Sequence, residues 1–334
     1  MKRLWLIAGL AIVFALAFTG SAFATNYHFI LVNNRTTLTN FNPDYDGAQL
    51  ACDEISKWTG DKLTWEIVGP TEMNLVAEAQ AMEAAIAKKP DGFMVICWDA
   101  KTMTPPINKA MDAGIPVVTI DADAPDSKRL CYVGTDWYTL GQDLGNALAK
   151  EIGNKGKVAM IGLVGADNME TAFRGFTDVM SKFPDIKVVA KEHDNSNKAE
   201  AARIATALMQ KYPDLAGLAG FDSESGPGIA RAVKEAGKAG KVKVVGNDLN
   251  ADQITYLKDG TEQFVLGQKR VFFGYWGVMT LWLHLKSSLK FTDNDSAIGV
   301  ENIPPRIVTG FLKATKESVD SYKAAFDKWA KPRR

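Results

Sequence analysis

Asp121, Asp123, Asp222, Asp248 and Gln268 each stand at the end of a short apolar run or within two residues of it. A carboxylate or an amide in that place can hold two neighbouring hydroxyls of a small solute, because each presents more than one hydrogen-bonding atom. Trp98 follows the run FMVIC, and Trp137 opens a helix. Flat aromatic faces of this kind cover the C–H side of a sugar ring. Arg35 and Arg270 are the basic groups that fall in the same set of positions, and Glu170 is a further acid near a helix start. Together they predict a site for a polyhydroxylated ligand.

Catalysis finds no comparable support. GLVGADN is not a G-x-G-x-x-G fingerprint, and G-x-x-x-x-G-K-[ST], G-x-S-x-G and H-E-x-x-H are all missing from the sequence. Asp121 and Asp123 could act as an acid–base pair, but no nucleophile or further base gathers with them. His28, His193 and His284 have no metal spacing. The expectation is a binding protein, not an enzyme, with no cofactor and no metal.

The elements that must position these residues alternate. Strands are expected over 27–33, 63–68, 92–96, 116–120, 157–162, 186–190, 217–220, 241–246 and 264–267. Runs such as FMVIC and PVVTI are apolar throughout, as in a parallel strand buried on both faces. Stretches such as NLVAEAQAMEAAIAKK carry apolar residues every three or four positions and read as helices. Repeated βα units imply doubly wound sheets. There are too many units for one sheet, and the polar stretch DADAPDSK at 121–128 interrupts the rhythm before a second series. A last helix is expected over 316–329. In open α/β sheets ligands sit beyond the carboxyl ends of the strands, which selects residues 33–39, 97–99, 121–123, 164–170, 221–225, 247–250 and 268–270.

Composition sets the setting. Lys2 and Arg3 lead an apolar stretch that ends in Ala22-Phe23-Ala24, the pattern of a cleaved secretory signal. The stretch is shorter than the roughly 18–20 residues that span a bilayer, and no cysteine stands at the cleavage point for a lipid. Cleavage near Ala24 leaves a chain long enough for two domains. The 39 basic and 39 acidic side chains balance, so no basic field is present to hold nucleic acid. Cys52, Cys97 and Cys131 are an odd number for an exported chain. Cys52 is expected as a small buried apolar group, and a Cys97–Cys131 bridge is left open.

Three strings resemble one family. DGFMVICWDAKTMTPPINKAMDAGIPVVTIDAD, SKRLCYVGTDWYTLGQDLG and ARAVKEAGKAGKVKVVGNDLNADQITYLKDGTEQFVLGQ are similar to the periplasmic sugar-binding proteins of ABC importers, nearest the ribose-binding type. The resemblance implies an α/β fold of the type I periplasmic binding protein: two similar doubly wound parallel-sheet lobes joined by a three-crossing hinge. Crossings would fall near 134–136, 268–269 and 308–310. Residues 26–135 plus 269–308 would form the N-terminal lobe, and 136–268 plus 309–334 the C-terminal lobe. It also implies a periplasmic monomer with a sugar or polyol as ligand, an inner-membrane ABC permease as partner, and a chemoreceptor as a further one. The alternative is a signal receptor for a furanose-like autoinducer or a chemotactic sugar, suggested by GPTE at 69–72.

By matching motifs, Phe41 corresponds to a ring-stacking aromatic, Asp121 and Asp248 to hydroxyl-binding carboxylates, Gln268 to the hinge amide and Asp222 to the acid of an Asn-Asp pair. The departures matter as much. Ala122 and Glu170 stand where arginines are usual, Phe221 replaces the Asn, and Asn40 replaces a second aromatic. Ribose itself is therefore not expected. Arg35 and Arg270 are the basic groups placed to compensate.

Overall fold

Two six-stranded sheets are built by one chain that passes between them three times. The structure, a computed structural model, describes residues 24–286, 292 and 302–322. The expected leader over residues 1–23 lies outside the described residues, as do residues 323–329 of the expected last helix.

The first sheet takes β1 (Asn26–Val32), β2 (Lys62–Val68), β3 (Gly92–Val95), β4 (Val117–Asp121), β5 (Cys131–Gly134) and β11 (Arg306–Val308), in the spatial order β11-β5-β4-β3-β1-β2. The second takes β6 (Gly156–Gly162), β7 (Ile186–His193), β8 (Leu215–Gly220), β9 (Lys243–Asn247), β10 (Phe264–Gln268) and β12 (Phe311–Ala314), in the order β12-β10-β9-β8-β6-β7. The two orders are the same pattern, so β4 and β9 hold equivalent places, as do β5 and β10. All pairings are parallel except β10 with β12.

Helices cover both faces, as parallel sheets require. In the first lobe α1 (Asn42–Thr59), α2 (Leu75–Ile86) and α3 (Ala100–Asp112) follow β1, β2 and β3. In the second, α4 (Trp137–Glu151) precedes β6, and α5 (Asp167–Met180), α6 (Lys198–Lys211), α7 (Ser225–Glu235) and α8 (Ala251–Asp259) follow β6 to β9. The chain then returns, and α9 (Val271–Lys286) packs on the first sheet. The strands alternate cleanly: Phe29, Leu31, Met94, Ile96, Val118 and Ile120 face α1 and α9, while Ile30, Val32, Phe93, Val95 and Val117 face α2 and α3.

The first two crossings each deliver a helix that packs on another helix of the lobe it enters. Thus α9 lies on α1 and α4 lies on α5, and both pairs touch backbone to backbone. A Cβ on Gly47 of α1 would overlap the carbonyl oxygen of Val271, and one on Gly274 of α9 that of Asp44. Gly141 of α4 and Gly175 of α5 meet the carbonyls of Ala172 and Tyr138 in the same reciprocal way.

Several expectations need correction. The polar stretch at 121–128 does not separate the lobes; it is a loop inside the first one, and β5 still pairs with β4 after it. β5, β11 and β12 have only four, three and four residues, too few for periodicity to show. The last helix begins at Val319, after a turn, rather than at 316. A Cys97–Cys131 bridge is ruled out: all three thiols are free and buried. Cys97 packs with the α2–α3 face of the sheet and Cys131 with the α1–α9 face.

Gly141→Ala is expected to cost about 2–3 kcal/mol, as overpacking at a tight contact does, read as a lower urea midpoint with unchanged slope. A loss under about 0.5 kcal/mol would show that α4 and α5 are not held at backbone contact.

Candidate functional site

The carboxyl ends of the two sheets face each other, and a bond joins the lobes there. The Ala100 amide at the start of α3 donates to Asp167 Oδ2 at the start of α5, at 3.1 Å. Between these ends lies the site.

β4 and β9 close on an aspartate in the same unusual backbone state. Asp121 has φ 67° and Asp248, next after β9, has φ 64°. The left-handed region suits Asp better than most residues, and it turns both carboxyls away from the continuing strand path. Both side chains are buried. The Asp121 turn is held from behind. Its carbonyl accepts from the Tyr132 hydroxyl at 2.7 Å and from Trp137 Nε1 at 2.9 Å.

The hinge orients Asp248. Thr135 Oγ1, on the first crossing, donates to Gln268 Oε1 at 2.6 Å, and Gln268 Nε2, at the second crossing, donates to Asp248 Oδ1 at 2.7 Å. The first two passages between lobes therefore end on a site carboxylate.

Arg270 follows directly. It is 6% exposed, and its Nη1 donates to Asp121 Oδ1 at 3.2 Å and its Nη2 to Asp44 Oδ2 at 2.7 Å. The guanidinium lies 4.8 Å from the centre of the Phe41 ring and 5.4 Å from that of Phe273. Burial alone would weaken its proton, but Asp121, Asp44 and Asp248 outweigh burial and hold it charged. Burial pushes the Asp44 carboxyl up to about 8 in spite of Arg270, with Asp121 and Asp248 adding to the rise. Asp248 is pushed up to about 6 by burial, against the pull of Arg270 and Gln268.

Of the expected residues, Phe41, Trp98, Asp121, Trp137, Asp248, Gln268 and Arg270 come together. Two of these have different partners from those expected. Trp137 reaches Asp121 through a backbone carbonyl, so it positions that residue. One side of the Phe41 ring is occupied by Arg270, and the ring lies tilted against Trp98 with 5.9 Å between ring centres. Trp98 itself is half-buried. Asp222 caps α7, accepting from the Glu224 and Ser225 amides at 2.9 Å each. Its other oxygen is buried without a hydrogen bond, and burial and Asp194 raise its pKa.

The remaining four are drawn elsewhere. Asp123 is taken by its own loop: it binds Arg129 through both oxygens, one of them to Nη2 at 2.6 Å, and accepts from Thr119 Oγ1 at 2.7 Å. Glu170 pairs with Lys191 at 2.9 Å and caps the Gly165 amide at 3.0 Å. Arg35 lies 3.9 Å from Glu72. Asn40 is half-buried in the short 3-10 turn that carries Phe41.

Asp44 was not anticipated. In NPDYDGAQ it reads as an acid in the first turn of a helix, favourable to the macrodipole. Nothing local marks its partner, which is 226 positions away. Thr135 was missed for the same reason.

No group of three or more His, Cys, Asp or Glu is arranged to hold a metal ion among the described residues. The geometry offers carboxylates, an amide and a fixed guanidinium inside a cleft between two lobes, which is equipment for gripping a solute. Residues 30–288 match the profile of the periplasmic binding protein domain. The chain belongs to the periplasmic binding protein family. Among the relatives of this binding protein is the D-ribose/D-allose-binding protein of Pseudomonas aeruginosa, 29% identical over 245 residues, which cover 71% of this chain and 76% of that one. The xylitol-binding protein of Mycolicibacterium smegmatis is 26% identical over 62% of this chain and 59% of its own. Similar solved structures include an ABC transporter solute-binding protein from Agrobacterium vitis bound with alpha-D-tagatopyranose, with TM-score 0.78 and 29% identity over 90% of this chain and 98% of that one.

Asp44 makes stability depend on pH. Unfolded, its carboxyl titrates near 3.8, and folded near 8. Between those values the native state keeps a proton that the unfolded chain has released, so stability falls as pH rises from about 4 to 8. From pH 5 to pH 8 the wild type should lose on the order of 5 °C more in melting temperature than Asp44→Asn. Parallel curves for the two proteins would show that Asp44 is ionised throughout.

Proposed function

We propose that this periplasmic binding protein is the solute-receiving component of an ABC importer and that its ligand is a small sugar or polyol. The observation that carries the reading is the pair Asp121 and Asp248. They stand at equivalent strand ends of two facing lobes and share a left-handed backbone, and Asp248 is joined through Gln268 to the crossing chain.

The proposed lobes are residues 26–135 plus 269–308 and 136–268 plus 309–334. The ligand's hydroxyls donate to Asp121 and Asp248, and Trp98 covers a C–H face. Closing the lobes removes water and strengthens those bonds. The closed form is then the one a membrane permease reads, since a partner that binds one state better shifts the population toward it. The protein works in the periplasm as a monomer, after cleavage near Ala24, and alters nothing it carries.

The relatives support this through what their names state, ribose or allose and xylitol, and the Agrobacterium vitis protein through its bound tagatose. The stretch GPTE also has a structural task. Gly69, at φ 138°, lets GPTE pass against the backbone of Asn33, and Pro70 accepts from the Thr36 amide at 2.9 Å.

A panel of pentoses, hexoses and polyols, including D-allose, xylitol and D-tagatose, tests the reading by thermal shift. A true ligand at one hundred times its Kd adds about 2.7 kcal/mol. Asp121→Asn, which tolerates the same backbone, should weaken the best binder at least tenfold, about 1.4 kcal/mol. A panel that leaves the melting temperature unmoved would end the sugar reading.

A further inference from the structure

The charges of the site do not balance. Asp44, Asp121 and Asp248 are 0%, 3% and 7% exposed, and each is close enough to Arg270 to be felt by it. Asp44 keeps its proton, so Asp121 and Asp248 around one guanidinium leave one negative charge in a space that closure shuts off from water. Asp222 adds to the excess, since it acts on Asp248 in the same sense. The residue after Asp121 is Ala122, buried and without charge. Arg35 stands outside the cluster beside Glu72, and Lys191 is spent on Glu170.

The hydrogen bonds repeat the imbalance. Arg270 serves one oxygen of Asp44 and one of Asp121, and Asp44 Oδ1 is buried with no donor. Asp248 receives only the neutral amide of Gln268 from other side chains among the described residues. A buried carboxylate without a cation costs several kcal/mol. Open, the lobes leave that cost to water. Closed around a neutral guest, they must take up protons or bear the charge. Closed around a cation, they need do neither. Closure therefore favours a guest that brings the missing charge.

We propose that the ligand is a hydroxyl-rich solute bearing one basic amine, whose ammonium supplies the second cation that Asp121 and Asp248 lack beside Arg270. This deepens the sugar or polyol reading and rests on it. Hydroxyls remain the partners of Gln268 and of the carboxylate oxygens that the ammonium does not occupy.

The test pairs each neutral sugar or polyol of the panel with its amino-deoxy counterpart, at pH 7.5, by thermal shift and then titration calorimetry on the full mature chain. The best binder should carry the amine and bind at least about tenfold more tightly than its neutral twin. Asp248→Asn keeps the shape and the backbone state. It should raise the Kd of the amine at least about tenfold more than it raises that of the neutral twin. Asp121→Asn serves the same purpose if that variant does not fold. A neutral best binder, or twins of equal affinity, overturns the amine while the sugar reading stands. A panel in which neither set binds overturns both.

Discussion

The buried Arg270 cluster is the contact on which the binding end of this molecule depends. Arg270 lies just past the second crossing, yet it grips residues from the first turn of α1 and from the end of β4. Desolvating a guanidinium and three carboxyl groups is expensive, and only close geometry returns the cost. The clamp of Phe41 and Phe273 on the guanidinium supplies part of that geometry. The chain of the second crossing is thus anchored to the wall of the site.

The same logic of shared position runs through the two lobes. The first two crossings each lay a helix on another helix of the lobe they enter, and reciprocal glycines let the backbones touch. Because the contact is between carbonyls and small residues, little can slide or rotate there. Rigid helix pairs on rigid sheets leave the crossings as the compliant parts. A sub-ångström change at Asp248, relayed by Gln268 to Thr135, is then felt at two crossings together, as expected when packed bodies move against each other without deforming.

Left-handed backbone at Asp121 and Asp248 costs on the order of 1 kcal/mol at each. The Tyr132 hydroxyl and the Trp137 indole oppose that cost at Asp121, and the Asp248 amide donates to the Leu266 carbonyl at 2.8 Å. Trp137 therefore earns its place by holding a carbonyl. A ligand-covering role for it rested on ring chemistry alone, and the indole N–H had a second use that ring chemistry does not reveal.

The sequence by itself determined the βα rhythm, because strands buried on both faces must be apolar throughout and helices between them must be amphipathic. It also placed Asp121, Asp248 and Gln268 at strand ends, because chain order alone defines that place. Short β5, β11 and β12 escaped because three or four residues hold no period. Only the tertiary structure decided which charged groups meet. Asp123 and Glu170 found Arg129 and Lys191, while Asp44 found Arg270 across 226 positions. Coulomb attraction acts through space and is strongest where water is excluded, so which charges pair is fixed by the folded interior rather than by spacing along the chain.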